Sequence, residues 1–203
     1  MLFRSIAKLG AAVDHFNGRP LDFCVNLGDT IDREWRSYDA ILKPLSASRH
    51  RWEHVLGNHD FALLDGEKTQ VDARLGVAAR HRFFDRPGFR FVVLDTGAVS
   101  TYATLAGSEA RREAAAELAR VKARKLPQAQ DWNGAVGPKQ LAWFNGHHHA
   151  GGFAQVEGLP CVTFHGMVET PDTNAFATAR FLADRMILAG HGREPSRELI
   201  FRV

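Results

Sequence analysis

The feature that most constrains this chain is a glycine followed by three polar side chains, directly after the run 52–56. The run predicts a short buried strand, and Gly57 allows a sharp turn at its end. Asn58, His59 and Asp60 then present an amide oxygen, an imidazole and a carboxylate, which are groups that bind metals or transfer protons. Open α/β sheets carry their chemistry in loops at the carboxyl ends of strands. Alone, these four residues are equally compatible with an ordinary polar turn.

Two further motifs of the same kind stand before and after this one. Residues 28–32 have the sequence Gly-Asp-Thr-Ile-Asp and follow the apolar run 23–27, and residues 146–149 have the sequence Gly-His-His-His. Gly-Asp-x-x-Asp, Gly-Asn-His-Asp and Gly-His-x-His, in this order, resemble the signature of the calcineurin-like metallophosphoesterases. Three matches in the same order rarely arise by chance. The chain is therefore interpreted as a metal-dependent phosphoesterase.

Hydrophobic periodicity predicts an α/β fold. Apolar residues at helical spacing indicate helices over 2–16, 35–46 and 108–125. Strands are expected over 21–27 and 52–56, and an antiparallel pair over 81–84 and 88–95. The last third contains strand-like runs at 153–156, 161–164, 175–182, 186–188 and 199–203, with turns at 157–160 and 189–193. These predict the second sheet of a two-sheet sandwich flanked by helices, in a single domain over residues 1–203.

Composition narrows the possible partners. The net charge is +3 and the pI about 9.1, but the basic residues are scattered, so no nucleic-acid footprint is visible. No apolar run is long enough to span a membrane, and the start lacks a signal-peptide core. Cys24 and Cys161 lie in apolar runs and are expected to be buried thiols. These features predict a cytoplasmic monomer that acts on a small anionic substrate, without nucleic-acid or membrane partners.

Other segments resemble one branch of this superfamily, the manganese-dependent ADP-ribose/CDP-alcohol diphosphatases. They include the pair Gly151-Gly152, the sequence Gly-Met-Val-Glu-Thr-Pro at 166–171, and Gly-x-Gly-Arg-x-Pro-Ser-Arg at 190–197. The likeness extends over nearly the whole chain, and the carboxyl-terminal block is its most specific part. It implies a four-layer α/β/β/α metallophosphoesterase fold. It also implies hydrolysis of the pyrophosphate bond of a nucleotide diphosphate.

The resemblance implies a centre of two divalent cations, most often manganese, with iron, magnesium or zinc as alternatives. By this resemblance Asp29 bridges the two cations, Asn58 and His147 bind the second, and His149 binds the first. His59 is the general acid or stabilises the charge of the phosphate. The other histidines are expected to be core or surface residues, although the histidine that precedes Gly166 could line the pocket.

Three residues near these motifs each have two possible roles. Asp32 is expected to support a ligand or to cap the following helix. Arg33 completes the run Gly-Asp-x-x-Asp-Arg, which resembles that of the phosphoprotein phosphatases, where an arginine grips phosphate; a solvated arginine at the start of a helix is at least as good an interpretation. Asp60 is expected to support the metal ligands or to contact phosphate.

The chain departs from the family pattern in two places. The family begins with a strand that ends in Asp-x-His or Asp-x-Gln, which has no counterpart here. It also carries a strand and a metal-binding histidine before Gly-His-x-His, and that segment is absent between Phe144 and Asn145. The pattern then leaves only Asp29 and His149 for the first cation, which predicts an incomplete fold with little activity. The alternatives to the diphosphatase are therefore an impaired metallophosphoesterase fragment, or a phosphatase or phosphodiesterase of the same superfamily.

Overall fold

A computed structural model describes residues 2–125, 129–134, 150–156, 159–182 and 184–200. Its contacts form two compact units. The central unit contains Phe23–Asp39 and Trp52–Leu141, and the terminal unit contains Met1–Asp22, Ala40–Arg51 and Ala142–Val203. The Gly-His-x-His motif and the junction of Phe144 with Asn145 lie outside the described residues. The single domain stays a prediction.

The central unit contains the two strands that precede the motifs. Strand β1 (Cys24–Asn26) pairs in parallel with β2 (Trp52–His54), and Asn26 is aligned with His54. The backbone N–H of Val55 donates to the carbonyl of Asn26 at 2.8 Å. Both strands are shorter than predicted because the motif loops begin at once. A parallel pair brings both carboxyl ends to one edge, so the two loops are neighbours.

The rest of the central unit follows the predicted pattern closely. A hairpin joins β3 (Arg82–Arg86) to β4 (Phe89–Val93), which confirms the predicted antiparallel pair. The rings of Phe84 and Phe91 stack at 5.1 Å, and the edge of Phe23 meets them at 5.1 and 5.0 Å. Three further helices follow the chain: α3 (Asp65–Lys68), α4 (Val71–Arg74) and the surface helix α5 (Glu109–Ala123). Helix α2 (Ser37–Ser46) begins in this unit.

The terminal unit packs helix α1 (Leu2–Asn17) and two antiparallel sheets. One sheet pairs β5 (Gly152–Val156) with β6 (Leu159–Thr163); the other orders β7 (Ala175–Phe181), β8 (Arg185–Gly192) and β9 (Arg197–Ile200). The predicted antiparallel pairing is confirmed, but in two sheets, because hydrogen bonds in the described residues join only strands adjacent in sequence. The turn predicted at 189–193 is wrong. Strand β8 continues there because His191 stacks on its partner Phe176 at 4.8 Å.

A lysine of α1 organises the loop between the two sheets of the terminal unit. The Nζ of Lys8 donates to the carbonyl oxygens of Met167 at 2.8 Å and Thr173 at 2.9 Å, and also to that of Thr170. The amide of Asn174 donates back to the carbonyl of Lys8 at 3.0 Å. One ammonium group therefore satisfies three carbonyls of the loop that follows β6, two of them in the family-like segment 166–171.

Candidate metal centre

The two motif loops of the central unit touch at Gly57. A Cβ on Gly57 would overlap the carboxylate of Asp29 and would lie 2.6 Å from its backbone nitrogen. Any side chain at this position would therefore push the loops apart, and only glycine permits the approach. In the resulting arrangement the backbone N–H of His59 donates to Oδ1 of Asp29 at 3.0 Å. The contact places the predicted bridging carboxylate beside the Gly-Asn-His-Asp motif.

Asp29 occupies an unfavourable backbone conformation. Its φ is +51°, in the left-handed region that residues with a side chain seldom adopt, and Arg33 in the same loop has a φ of +66°. Such conformations cost about 1–3 kcal/mol each and persist only where the surroundings enforce them. They are concentrated at functional sites, where the strain fixes a side chain for its task. The loop that carries Asp29 contains two residues with a positive φ, Asp29 and Arg33, within five positions.

Asn58 carries a buried oxygen that the described residues leave unpaired. Its Oδ1 is inaccessible to solvent and accepts no hydrogen bond from any part of the chain that the structure describes. An unsatisfied buried acceptor costs about 1–3 kcal/mol, so it needs an explanation. A neutral amide oxygen is a suitable ligand for manganese or magnesium. The residue therefore fits the metal-binding role that the resemblance implies.

His59 forms a pair with Asp32 at the rim of the site. Its Nδ1 lies 2.9 Å from Oδ1 of Asp32, and the side chains are 28% and 74% exposed. Because Nδ1 is engaged, Nε2 is the ring nitrogen left to meet a substrate. Arg33 extends the group, with its Nε 3.3 Å from the same aspartate oxygen and 70% of its side chain exposed. All three side chains remain accessible to a ligand from solvent.

Asp60 lies beneath the site, with no exposure to solvent. Its carboxylate accepts hydrogen bonds from the backbone of Gly57 at 2.9 Å, the backbone of Thr30 at 3.0 Å and the hydroxyl of Tyr38 at 3.1 Å. The pKa of Asp60 is raised to about 6, chiefly by burial and also by the nearby Asp29 carboxylate, against the opposing effect of the three hydrogen-bond donors. One side chain thus ties both motif loops to helix α2. Tyr38 was missed by the sequence analysis because it belongs to no motif.

The structure brings together the predicted site residues of the central unit. It does not describe the two predicted histidine ligands. Asp29, Asn58, His59, Asp60, Asp32 and Arg33 all lie in or between the two adjacent loops. His147 and His149 lie outside the described residues. Among the residues that are described, no group of three or more His, Cys, Asp or Glu side chains could hold a metal ion. The ligand assignments stay predictions.

The fold has a clear counterpart among solved structures. The crystal structure of a dimetal phosphatase from Danio rerio superposes with a TM-score of 0.83, covering 98% of this chain and 90% of that one at 22% identity. The chain therefore has the fold of a dimetal phosphatase, which confirms the predicted α/β metallophosphoesterase-like class. Comparison with protein-family models finds no match. No helix in the described ranges combines the length and the apolar character needed to cross a membrane.

Sequence comparison identifies the particular proteins that this chain resembles. It is 24% identical to the manganese-dependent ADP-ribose/CDP-alcohol diphosphatase of Bos taurus, over 98% of this chain and 86% of that protein. A 64-residue segment is 38% identical to the Homo sapiens protein of the same name, over 30% of this chain and 19% of that protein. The predicted resemblance is confirmed. The Bos taurus alignment spans 288 positions, more than the 203 residues of this chain, so that relative has segments without counterpart here.

Proposed function

We propose that this chain is a phosphohydrolase with two divalent cations that cleaves the pyrophosphate bond of ADP-ribose or of CDP-alcohols. The observation that carries the proposal is the buried Oδ1 of Asn58, which no described residue pairs, in the loop that touches the strained Asp29. An unsatisfied oxygen beside a carboxylate suits a cation better than it suits a protein core. The dimetal phosphatase fold and the names of the relatives supply the reaction class.

The metal-holding residues follow from the resemblance and the local geometry. Asp29 and Asn58 would hold cations from the two adjacent loops, and His147 and His149 would complete the ligand set. When bound, such a cation pair neutralises phosphate charge and makes water nucleophilic near neutral pH. Manganese is the expected metal, because oxygen and imidazole ligands without thiolate suit it and the relatives are named as manganese-dependent.

His59 would supply the proton that the leaving group needs. Hydrolysis adds the oxygen of water to one phosphorus and breaks the bridging P–O bond, and the departing phosphate oxygen takes up a proton. Asp32 holds Nδ1 of His59 and so fixes the ring, which leaves Nε2 to deliver that proton. Arg33, exposed beside Asp32, would contact the phosphate charge. Asp60 would keep the two motif loops side by side through its hydrogen bonds to Gly57 and Thr30.

The names of the relatives support this choice of substrate. ADP-ribose and CDP-alcohols share a nucleoside diphosphate joined to an alcohol or sugar. Their hydrolysis would yield a nucleoside monophosphate and the other phosphate ester. Comparing the turnover of ADP-ribose with that of a CDP-alcohol shows which nucleotide the protein prefers.

The test combines turnover with metal binding. The purified protein is incubated with ADP-ribose or a CDP-alcohol and Mn²⁺, Mg²⁺, Zn²⁺ or Fe²⁺, and AMP or CMP is measured by chromatography. We expect product with Mn²⁺, formed slowly because the family pattern leaves only Asp29 and His149 for the first cation, and none with EDTA. The absence of nucleoside monophosphate under all four metals would refute the proposal.

Asn58→Ala tests separately whether the buried Oδ1 of Asn58 binds a cation. The variant should bind less Mn²⁺ in calorimetric titration. In EDTA its unfolding free energy should not fall, because the substitution removes an unsatisfied buried oxygen. Asn17→Ala is a matched control, since Asn17 donates to the backbone of Ala47 at 3.0 Å in the terminal unit. It should leave Mn²⁺ binding unchanged. A loss of stability by Asn58→Ala without loss of Mn²⁺ would contradict the metal role.

A further inference from the structure

In the terminal unit, three carbonyl oxygens of the loop between β6 and β7 converge on one point. Residues 164–174 belong to no helix or strand of the described chain, and the carbonyls are those of Met167, Thr170 and Thr173. The Nζ of Lys8 lies 2.8 Å from the first oxygen and 2.9 Å from the third, and it also donates to the second. These three oxygens are called the carbonyl cradle below.

The carbonyl cradle has the composition of a site for a monovalent cation. Backbone carbonyls are neutral ligands, and rings of them replace the hydration shell of potassium in selective channels. Calcium and magnesium sites, in contrast, use carboxylates to offset the double charge of the ion. In the part of the chain that the structure describes, the partners of the Lys8 ammonium group are the three carbonyls and no carboxylate. Carbonyl dipoles alone therefore stabilise its single charge.

Other contacts hold the two ends of the loop without the help of the ammonium group. Nη2 of Arg193 donates to the carbonyl of Gly166 at 2.5 Å, and the backbone N–H of Arg193 donates to the carbonyl of Asn174 at 2.9 Å. The amide of Asn174 donates to the backbone carbonyl of Lys8 at 3.0 Å, a contact that any residue at position 8 would keep. The three oxygens should therefore stay close to one another when the side chain of Lys8 is shortened.

We propose that the carbonyl cradle is a binding site for a monovalent cation, and that the ammonium group of Lys8 is its resident cation. The group has three N–H donors, and each oxygen of the cradle accepts from it. A dehydrated potassium or ammonium ion carries the same single charge. Because the chain supplies its own cation, the loop keeps its conformation whichever salt is in solution. The site lies within the terminal unit and does not depend on the proposed phosphohydrolase activity.

The test removes the ammonium group and offers free cations in its place. Lys8→Ala empties the cradle, and melting temperatures are measured in EDTA with choline, potassium or ammonium chloride at one ionic strength. The choline cation is too large for the cradle and has no N–H. In choline chloride we expect the variant to melt roughly 5–10 °C below the unmodified protein, because hydrogen bonds from a charged donor are lost. Potassium and ammonium should recover a large part of this loss, with a saturable dependence on concentration.

Two further variants separate occupation of the cradle from a general effect of salt. Lys8→Met removes the charge but places a methyl group near the position of Nζ, so it should melt at a low temperature in all three salts. Lys43→Ala is the matched control, because it removes the charge of an exposed lysine of helix α2. It should melt close to the unmodified protein in every salt. The unmodified protein should also melt alike in all three, because its cradle is already filled.

Equal melting temperatures of Lys8→Ala in choline, potassium and ammonium chloride would overturn the proposal. Equal recovery by Lys8→Met would do the same, because the cations would then act at another place. If Lys8→Ala does not fold in choline chloride, the folded fraction replaces the melting temperature, and potassium or ammonium must restore folding. Failure to fold in every salt also overturns the proposal. None of these results affects the phosphohydrolase proposal, which is tested by turnover and Mn²⁺ binding.

Discussion

The His59–Asp32 pair and the His165–Glu194 pair share one contact and differ in their surroundings. In each pair a histidine Nδ1 lies 2.9 Å from a carboxylate oxygen. The Asp32 side chain is 74% exposed, whereas the Glu194 side chain has no exposure. Glu194 has further partners in Arg197 and the backbone of His165, and Asp32 has the exposed Arg33. The two pairs belong to different units of the molecule.

The comparison teaches that burial, more than distance, decides what such a pair does. An exposed pair is worth about 0–1 kcal/mol, because water and salt compete for both partners. Its histidine can release the carboxylate and exchange a proton, as a general acid must. A buried pair loses several kcal/mol when one partner is removed, because the other stays desolvated. A buried pair can therefore fix the local conformation, but it is poorly suited to exchanging its hydrogen-bond partners.

The largest expected effect is on turnover and comes from the exposed pair. His59→Ala should lower turnover of ADP-ribose by about 10²–10⁴-fold, because a positioned proton donor is worth that much. Bound Mn²⁺ should stay nearly constant, since His59 is not assigned as a ligand. Turnover and metal content are measured on the same preparation, beside Asn58→Ala. Should His59→Ala lose as much Mn²⁺ as Asn58→Ala, the distinction between acid and ligand is wrong.

The next effect is on stability and comes from the buried pair. Glu194→Ala should lower the free energy of unfolding by about 3–5 kcal/mol, because His165 and Arg197 lose their shared buried partner. Urea denaturation measures the loss. Asp32→Ala is the matched control, and its loss should stay within about 1 kcal/mol. Equal losses for the two variants would mean that burial does not separate the pairs.

Asp60 extends the comparison to a buried carboxylate whose partners among the described residues are two backbone N–H groups and the hydroxyl of Tyr38. Tyr38→Phe removes one of its three donors and leaves the ring in place. The unfolding free energy should fall by roughly 1–3 kcal/mol, because a buried acceptor loses a hydrogen bond. Chemical denaturation in EDTA gives the value without any metal contribution. No change would indicate that the backbone donors of Thr30 and Gly57 suffice.

The smallest expected effect is a change in pH dependence. The pKa of Glu194 lies below its ordinary value of 4.5 in the folded protein. Its charged form therefore stabilises the fold above about pH 4.5, and this stabilisation is lost as the pH falls through the lowered folded pKa. Glu194→Gln removes the titrating group, so its stability should fall less steeply in acid. Melting temperatures from pH 7 down to pH 3 test this, and parallel curves for both proteins would contradict it.

The parts of the site that could be predicted from the sequence are those that lie within one motif. Asp29, Asn58 and His59 occur in short patterns after apolar runs, and a parallel pair of strands brings such patterns together. The role of Tyr38 could not be predicted, because its contact with Asp60 joins two residues 22 positions apart that share no pattern. His165 and Glu194 are 29 positions apart, and each alone resembles an ordinary core or surface residue.

The turn expected at 189–193 failed for a related reason. Two glycines near His191 favour a turn by local propensity. The pairing with β7 overrides this propensity, because each residue from Met186 to Gly192 gains a partner on β7. Local patterns thus predicted the elements well, and contacts between distant segments decided their ends.

The contacts of Lys8 have a consequence for the order of events during synthesis. Helix α1 is made before the rest of the terminal unit, and the carbonyls of Met167, Thr170 and Thr173 appear about 160 residues after Lys8. At about 5–20 residues per second, the ammonium group waits on the order of ten to thirty seconds for its partners. During that interval the apolar face of α1 has no completed sheet to cover it. A nascent chain stalled before Met167 should therefore be a preferred client of chaperones, whereas one released after strand β9 can close the terminal unit.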